Sequence, residues 1–368
     1  MSLSRSQQAK PLRHRLYQGD NLDVMRRILP EFIGKVEFIY IDPPYNTGIM
    51  QYKTYRDKMW GRYERRRHEA WTDFMRPRLE AAYKLLTPLG KMFVSIDDHE
   101  FPHLVLLMRD IFGRENVEVM IWDKVPREGT AGQGKMKRSK RFRIDHEYIV
   151  VGYVDRKNTR FRKPRVMAPL TRSYDNRDND PRGPWISAEL CKSKAKSNPK
   201  GKNYYTVVTP SGREITRQWH VSRAEFERLD ADGRIWWGSG RIVPRLKKFV
   251  NEPRALTPSS VIKNISQTEG IRDLRKWDLA DAFSHPKPVR LLQYLLEMAS
   301  EPDATVMDFF AGSGSLAEAV MRLNHEQGHR RRCLLVSNNE NQSLDKILLP
   351  RIEKMMKAYP DNNWEFIF

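Results

Sequence analysis

The sequence of 368 residues is poor in cysteine and in long hydrophobic runs. Its two cysteines, Cys191 and Cys333, suggest neither a disulfide framework nor metal-ligand spacing, so we predict no metal site. No apolar run reaches the roughly 18 residues that a membrane span requires. Residues 1–10 are polar and lack the apolar stretch of a signal peptide. We therefore expect a cytoplasmic protein of prokaryotic or phage type that contacts no membrane.

Acidic residues are outnumbered by basic ones, and the excess is unevenly distributed. The formal net charge is +20, of which residues 124–279 carry +19. Such a block is either a solvated basic surface or a face for a polyanion, and its concentration in one segment favours nucleic acid. Within it, residues 128–143 are rich in Gly, Lys and Arg, which predicts a basic loop.

Strand and helix patterns alternate on both sides of the basic block. They predict strands at 36–41, 91–96, 117–122, 147–154, 304–309 and 333–337, and helices at 71–87, 104–111, 288–300 and 315–324. This alternation predicts an α/β fold, a Rossmann-like, mainly parallel sheet covered by helices on both faces. Residues 156–279, rich in Arg, Lys, Pro and Trp, interrupt it as an irregular α+β insert between parts 12–155 and 280–368.

The segment 305–315 predicts a ligand site because it combines a strand, a Gly-x-Gly turn at Gly312 and Gly314, and a helix. Ala317 stands where a dinucleotide-binding fingerprint has its third glycine. This argues against a dinucleotide ligand and is compatible with a smaller ligand that contains adenosine. Glu340 follows the next predicted strand, where a carboxylate can accept hydrogen bonds from ribose hydroxyls. Alone, Glu340 would be an ordinary loop residue.

The tetrapeptide Asp42, Pro43, Pro44 and Tyr45 directly follows the predicted strand 36–41. The prolines hold a carboxylate and a backbone carbonyl in place, and both can accept hydrogen bonds from an exocyclic amine of a base. These bonds would localise the nitrogen lone pair, and the tyrosine ring can stack on a base taken out of the duplex. The plain alternative is a proline-rich turn with a capping aspartate.

These motifs resemble the β group of amino-methyltransferases and, more closely, the modification subunits of type III restriction-modification systems. The similarity spans most of the chain, through the segments 17–22, 40–48, 93–98, 111–116, 146–148, 233–238, 285–288 and 308–315. It implies a SAM-dependent methyltransferase fold with an inserted target-recognition domain. The sequence departs from the family at Ser315-Leu316, where Thr-Thr is usual, and the chain is shorter than these subunits usually are.

The resemblance implies methyl transfer from S-adenosyl-L-methionine (SAM) to the N6 amine of adenine in double-stranded DNA. It gives the tetrapeptide the catalytic role, places Asp20 beside the SAM adenine and Lys287 near the methionine carboxylate, and assigns the SAM turn to Asp308, Phe309, Phe310, Gly312 and Gly314. Homodimer formation and a separate restriction or defence subunit are implied as possible partners. In the target-recognition insert we expect phosphate contacts from Lys192, Lys194, Lys196, Lys247 and Lys248.

Other functions stay open on the sequence alone. Neither cysteine follows a proline, which argues against a cytosine-C5 enzyme. An N4-cytosine enzyme would more often have Ser in place of Asp42, and an RNA N6-adenine enzyme would use the same chemistry. A DNA-binding protein without enzymatic activity would explain the charge, but not the tetrapeptide and the glycine turn together.

Overall fold

A computed structural model of the chain describes residues 12–48, 64–125, 142, 144–167, 174–238, 243–255 and 257–368. Most of the predicted basic loop 128–143 lies outside these ranges. The chain divides into two compact units, one comprising the residues up to 163 and from 257 onward, the other residues 164–256. The second unit thus lies inside the predicted insert 156–279, and residues 156–163 and 257–279 belong to the first.

Both units contain β-strands and α-helices. The strands are β1 (Leu12–Gln18), β2 (Val36–Ile41), β3 (Leu86–Ile96), β4 (Val117–Asp123), β5 (His146–Tyr153), β6 (Arg165–Met167), β7 (Trp185–Glu189), β8 (Tyr204–Val208), β9 (Glu214–Gln218), β10 (Ile235–Trp236), β11 (Arg245–Phe249), β12 (Pro253–Ala255), β13 (Val261–Ile262), β14 (Thr305–Asp308), β15 (Arg332–Ser337) and β16 (Asn362–Ile367). The α-helices are α1 (Asn21–Phe32), α2 (Glu64–Leu85), α3 (Phe101–Phe112), α4 (Arg223–Ala231), α5 (Thr268–Arg275), α6 (Val289–Ala299), α7 (Ser315–Gln327) and α8 (Leu349–Ala358). In the described part of the chain, no helix is both long enough and apolar enough to cross a membrane.

The first unit is built on a nine-stranded sheet with the order β13-β4-β5-β3-β2-β14-β15-β1-β16. β5 runs antiparallel to its neighbours β3 and β4, and the other neighbouring pairs are parallel. Largely apolar strands such as Val36–Ile41, in which Glu37 is the one charged residue, suit this position because the strand is covered on both faces. The predicted α/β class with a mainly parallel sheet is confirmed.

Alternating side chains of each strand supply two separate cores. In β2, Phe38 and Tyr40 join the core that contains the buried residues of α6, α7 and α8. Ile39 and Ile41 join the core formed with α1, α2 and α3. This is the two-residue period of a strand, and it explains why helices are needed on both faces of the sheet.

The second unit has small antiparallel sheets and its own core. Strands β10, β11 and β7 form one sheet, while β8 pairs with β9 and β6 with β12. Its core contains the buried residues Leu190, Ile215, Trp219, Phe226, Leu229 and Ile235.

A buried ion pair supports the glycine turn that precedes α7. Arg351 and Glu318 have fully buried side chains, and Arg351 Nη2 lies 2.7 Å from Glu318 Oε2. Arg351 Nη1 donates to the Ser313 carbonyl at 2.7 Å, and Trp277 Nε1 donates to Glu318 Oε2 at 2.7 Å. Arg322 also pairs with Glu318, so the carboxylate has two cations and the loss of Arg351 would leave it with one.

We expect Arg351→Met to lower the free energy of unfolding by about 1–3 kcal/mol, because Glu318 would lose one of its two cations and the Ser313 carbonyl would lose its donor. Urea denaturation followed by circular dichroism measures the change. Arg26→Met is the matched control, since Arg26 is exposed and lies 3.8 Å from Asp23 on the helix surface. The control should change stability by less than about 1 kcal/mol. Equal effects of the two substitutions would show that the buried pair has no special role.

Candidate functional site

A cavity of about 680 Å³ opens at the carboxyl ends of the parallel strands β2, β14, β15 and β1. This is where open α/β sheets bind their ligands. The cavity brings together residues predicted from distant parts of the sequence, namely Asp20, Asp42, Pro43, Pro44, Tyr45, Lys287, Asp308, Phe309, Phe310, Gly312 and Glu340.

The two predicted glycines differ in their positions. Both have left-handed backbone angles, with φ of 49° at Gly312 and 80° at Gly314. Gly312 lines the cavity, and a Cβ added there would lie 3.4 Å from the ring of Phe283. A Cβ at Gly314 would lie 2.5 Å from Leu348 Cδ1, so this glycine allows close packing below the turn.

The tetrapeptide is held in place from α2. Trp71 is fully buried, and its Nε1 donates to the carbonyl of Pro44 at 2.6 Å. Asn46, directly after the tetrapeptide, adopts a left-handed φ of 57° and is also buried. The loop after β2 therefore has a defined backbone path, which the two prolines alone would not determine.

The ammonium group of Lys287 contacts three other polar side chains of the site. Lys287 Nζ lies 2.7 Å from Asp42 Oδ1, 2.8 Å from the Tyr45 hydroxyl and 3.4 Å from Glu147 Oε2. Burial alone would lower the pKa of Lys287, but Asp42 and Glu147 outweigh it and the pKa is raised. Burial raises the pKa of Asp42, and Lys287 opposes that rise. Lys287 therefore favours the ionised form of Asp42.

Glu147 is a member of the site for which the sequence predicted no role. Its carboxylate is buried, accepts from the Tyr45 hydroxyl at 3.1 Å, and lies 3.0 Å from Lys124 Nζ. Burial would raise the pKa of Glu147, but Lys287 and Lys124 lower it below its usual range. The available signal was the segment His-Glu-Tyr at 146–148, which resembles the family but suggests no chemistry by itself.

Three predicted cofactor contacts differ in the hydrogen bonds and ion pairs that they already form within the protein, namely Lys287, Asp20 and Glu340. Lys287, predicted beside the cofactor's carboxylate, is bound to Asp42. Asp20 caps α1 by accepting from the backbone of Leu22, and it pairs with Arg78 at 2.7 Å. Among the described residues, no protein group hydrogen-bonds the Glu340 carboxylate, which leaves it available to a ligand.

Asp308 is a buried carboxylate at the end of β14. Burial raises its pKa to about 8, although the backbone N–H of Phe310 donates to Asp308 Oδ1 at 2.9 Å and lowers the value. The negative charge of Asp42 raises the pKa further. Asp308 thus differs from Asp42, which has Lys287 beside it.

The predicted DNA-contacting lysines lie in the second unit and differ in exposure. Lys192, Lys194 and Lys196 are exposed. Lys248 is half-buried. Lys247 is buried and paired with Asp178 and Asp180, with 3.0 Å to Asp180 Oδ2. The structure argues against the phosphate contact predicted for Lys247, because an ammonium buried between two carboxylates is already neutralised.

Comparison with known proteins gives concordant matches. The profile of a family described as DNA methylase, for N6 and N4 modification, matches residues 36–342. The StyLTI modification subunit, from a type III restriction-modification enzyme of Salmonella typhimurium LT2, is 31% identical over 95% of this chain. The type II methyltransferase M.KpnI of Klebsiella pneumoniae is 27% identical over 96% of this chain and 90% of its own length.

The matches differ in how much of each relative they cover. This chain spans 58% of the length of the StyLTI subunit. Among solved structures, the PvuII DNA methyltransferase, which is cytosine-N4-specific, matches with a TM-score of 0.48 at 12% identity and covers 98% of both chains.

The raised pKa of Asp308 predicts a pH dependence of stability. The folded state binds the proton more tightly than the unfolded state, so stability should fall as pH rises from about 4 to 8, by up to about 1.4 kcal/mol per pH unit. Asp308→Asn keeps an acceptor for Phe310 and should flatten this decline. Urea denaturation at several pH values measures it, with Asp303→Asn as the exposed control. The same slope in wild type and Asp308→Asn would contradict the assignment.

Proposed function

Because this chain belongs to the N6/N4 DNA methylase family, we propose that it transfers a methyl group from SAM to the N6 amine of adenine in DNA. One observation carries the proposal: the tetrapeptide after β2 and the glycine turn after β14 line the same cavity. The amine-activating group and the cofactor turn would thereby meet at one place. A DNA-binding protein without enzymatic activity would need neither.

The cavity suits SAM in size and chemistry. When bound, SAM supplies an electrophilic methyl group. The Glu340 carboxylate, which no described residue engages, is suited to ribose hydroxyls, Asp20 would lie near the adenine, and Gly312 allows close approach to the backbone. Phe309, Phe310 and Asp308 complete the turn. The methionine carboxylate of SAM would be stabilised near the start of α7 by the positive end of the helix dipole. Lys287 adds a cation at the same edge of the sheet.

Asp42 would accept a hydrogen bond from the target amine. An ionised carboxylate can only accept, whereas a protonated one would also donate and could not localise the nitrogen lone pair in the same way. Lys287 therefore contributes by stabilising the ionised form of Asp42. The Pro43 carbonyl would accept the second amine hydrogen, as the resemblance to the family motif implies, while the Pro44 carbonyl accepts from Trp71.

Tyr45 would stack on the target base after it leaves the duplex. Its hydroxyl is held by Lys287 at 2.8 Å and by Glu147 at 3.1 Å, so the ring is oriented before a base arrives. An oriented ring loses less conformational entropy on stacking than a freely rotating one. Lys287 thus positions both Asp42 and Tyr45, and Glu147 helps to position Tyr45.

The proposal also includes the DNA substrate and the protein partners of this chain. The charge of +19 in residues 124–279 supports a role of the insert 156–279 as the target-recognition domain for double-stranded DNA. The names of the type III relatives support a restriction subunit as a partner. The bacterial and phage sources of the relatives support action on prokaryotic or phage DNA in the cytoplasm.

Substitution of Asp42 tests the chemistry. We expect Asp42→Ala to lower the rate of methyl transfer by about 10²- to 10⁴-fold, because the amine loses its charged acceptor. SAM affinity, measured by calorimetry, should stay within about twofold, and Asp303→Ala is the surface control. Mass spectrometry of the digested product identifies N6-methyladenine or N4-methylcytosine, and an RNA substrate is assayed in parallel. Near-normal turnover by Asp42→Ala would refute the catalytic role.

The lysines of the second unit test the DNA contact. Changing Lys192, Lys194 and Lys196 to Gln should reduce the slope of log affinity against log salt by up to about 0.9 for each phosphate that the protein no longer neutralises. The weakening should be similar for specific and random duplexes, because phosphate contacts carry little sequence information. Changing the exposed Lys84, Lys346 and Lys357 to Gln removes the same charge elsewhere. Superimposable salt plots for wild type and the first triple variant would show that these lysines do not touch DNA.

A further inference from the structure

Two histidines and a glutamate meet beside the tetrapeptide, outside the cavity residues discussed above. His68 lies on α2, Glu100 precedes α3, and His103 lies in the first turn of α3. His68 Nδ1 is 2.8 Å from Glu100 Oε1, and His103 Nδ1 is 3.1 Å from Glu100 Oε2. The two imidazole rings stack with centroids 4.4 Å apart. Their nitrogens thus face one carboxylate from the same side.

The carboxylate of this cluster is incompletely satisfied. Glu100 is fully buried, and its Oε2 forms no hydrogen bond with the described residues. His103 Nδ1, the neighbouring atom, is also buried and likewise lacks a hydrogen bond within the described ranges. In that part of the chain, no Lys or Arg pairs with Glu100. A buried carboxylate without a Lys or Arg partner is costly, and two atoms that lack hydrogen bonds and lie 3.1 Å apart suit a shared metal ion.

We propose that His68, Glu100 and His103 bind a divalent first-row transition metal ion of the Zn²⁺ class. One ligand atom from each residue lies within 4.8 Å of the others, which is compatible with a single ion. Two imidazole nitrogens and one carboxylate oxygen select such an ion over Mg²⁺ or Ca²⁺, which prefer oxygen ligands. The prediction of no metal rested on the cysteines and did not consider this histidine pair.

The metal site has a direct connection to the proposed catalytic loop. Asn46 Nδ2 donates to Glu100 Oε1 at 2.5 Å, and Asn46 follows Tyr45 in the chain. Asn46 has the left-handed φ of 57°, so its backbone must be held in a sparsely populated conformation. A metal that orients Glu100 would thereby position the end of the tetrapeptide. This positioning role rests on the proposed methyl transfer, whereas the metal site does not.

Metal binding is measured on the full chain without a histidine tag, after chelator treatment and reconstitution. We expect one Zn²⁺ per chain by mass spectrometry, and visible d–d absorption when Co²⁺ replaces it. His103→Ala should weaken Zn²⁺ binding by about 100-fold or more, since groups that only support the metal ligands already contribute 10- to 100-fold. His103→Cys should retain Zn²⁺, because a thiolate is also a zinc ligand.

His325→Ala is the control for the loss of a histidine, since His325 lies on α7 outside the cluster. It should bind Zn²⁺ as the wild type does. Less than about a tenth of a Zn²⁺ ion per reconstituted wild-type chain would overturn the metal site, and so would equal affinity of wild type and His103→Ala. The wild-type result does not depend on the folding of any variant.

Methyl transfer by metal-free and reconstituted wild type then tests the positioning role. We expect a several-fold lower rate without metal and unchanged SAM affinity. Stoichiometric Zn²⁺ binding with equal rates would overturn the positioning role and support the site. Stoichiometric binding in a protein that methylates no nucleic acid would refute the proposed function while supporting the metal site.

Discussion

The parallel pairing of β2 with β14 is the constraint on which the site depends. Phe38 pairs with Val306 and Ile39 with Met307, so both strands end at the same edge of the sheet. Asp42 directly follows β2 and Asp308 is the last residue of β14, although more than half of the chain separates them. A sheet that joined these strands in the antiparallel sense would place the two motifs at opposite edges. The glycine turn and the tetrapeptide are neighbours because backbone hydrogen bonds make their strands neighbours.

The cavity at the strand ends also contains several carboxylates, and they differ in whether a cation lies beside them. Asp42 and Glu147 are paired with the cations Lys287 and Lys124, which oppose the rise in pKa that burial causes. Within the described residues, Asp308 has no such cation, and its pKa rises to about 8. Lys287 favours the ionised form of Asp42, which only accepts hydrogen bonds, whereas burial without a cation favours the protonated form of Asp308, which can also donate. One edge of the sheet thus holds two kinds of acid.

Helix α2 and the start of α3 support the tetrapeptide from outside the cavity. Trp71 holds the Pro44 carbonyl, and Glu100 holds the Asn46 amide. These groups act on either side of Tyr45, so the loop is restrained before and after its aromatic ring. The proposed metal site would extend this support by orienting Glu100. In this arrangement the loop's geometry depends on buried polar contacts, and proline stiffness supplies only part of it.

The sequence alone determined the α/β class and most strands of the central sheet, and its motifs indicated many of the residues that line the cavity, because these depend on local periodicity and on motifs with specific chemistry. It predicted neither β1 nor the role of Glu147 nor the burial of Lys247. In β1 the polar residues Arg13 and Arg15 flank the buried His14, whose ring nitrogens hydrogen-bond with Asn362 and with the backbone N–H of Cys333, far away in the chain. Lys247 resembles any surface lysine until Asp178 and Asp180 enclose it. Tertiary structure decided these points because burial and charge pairing depend on which distant residues meet.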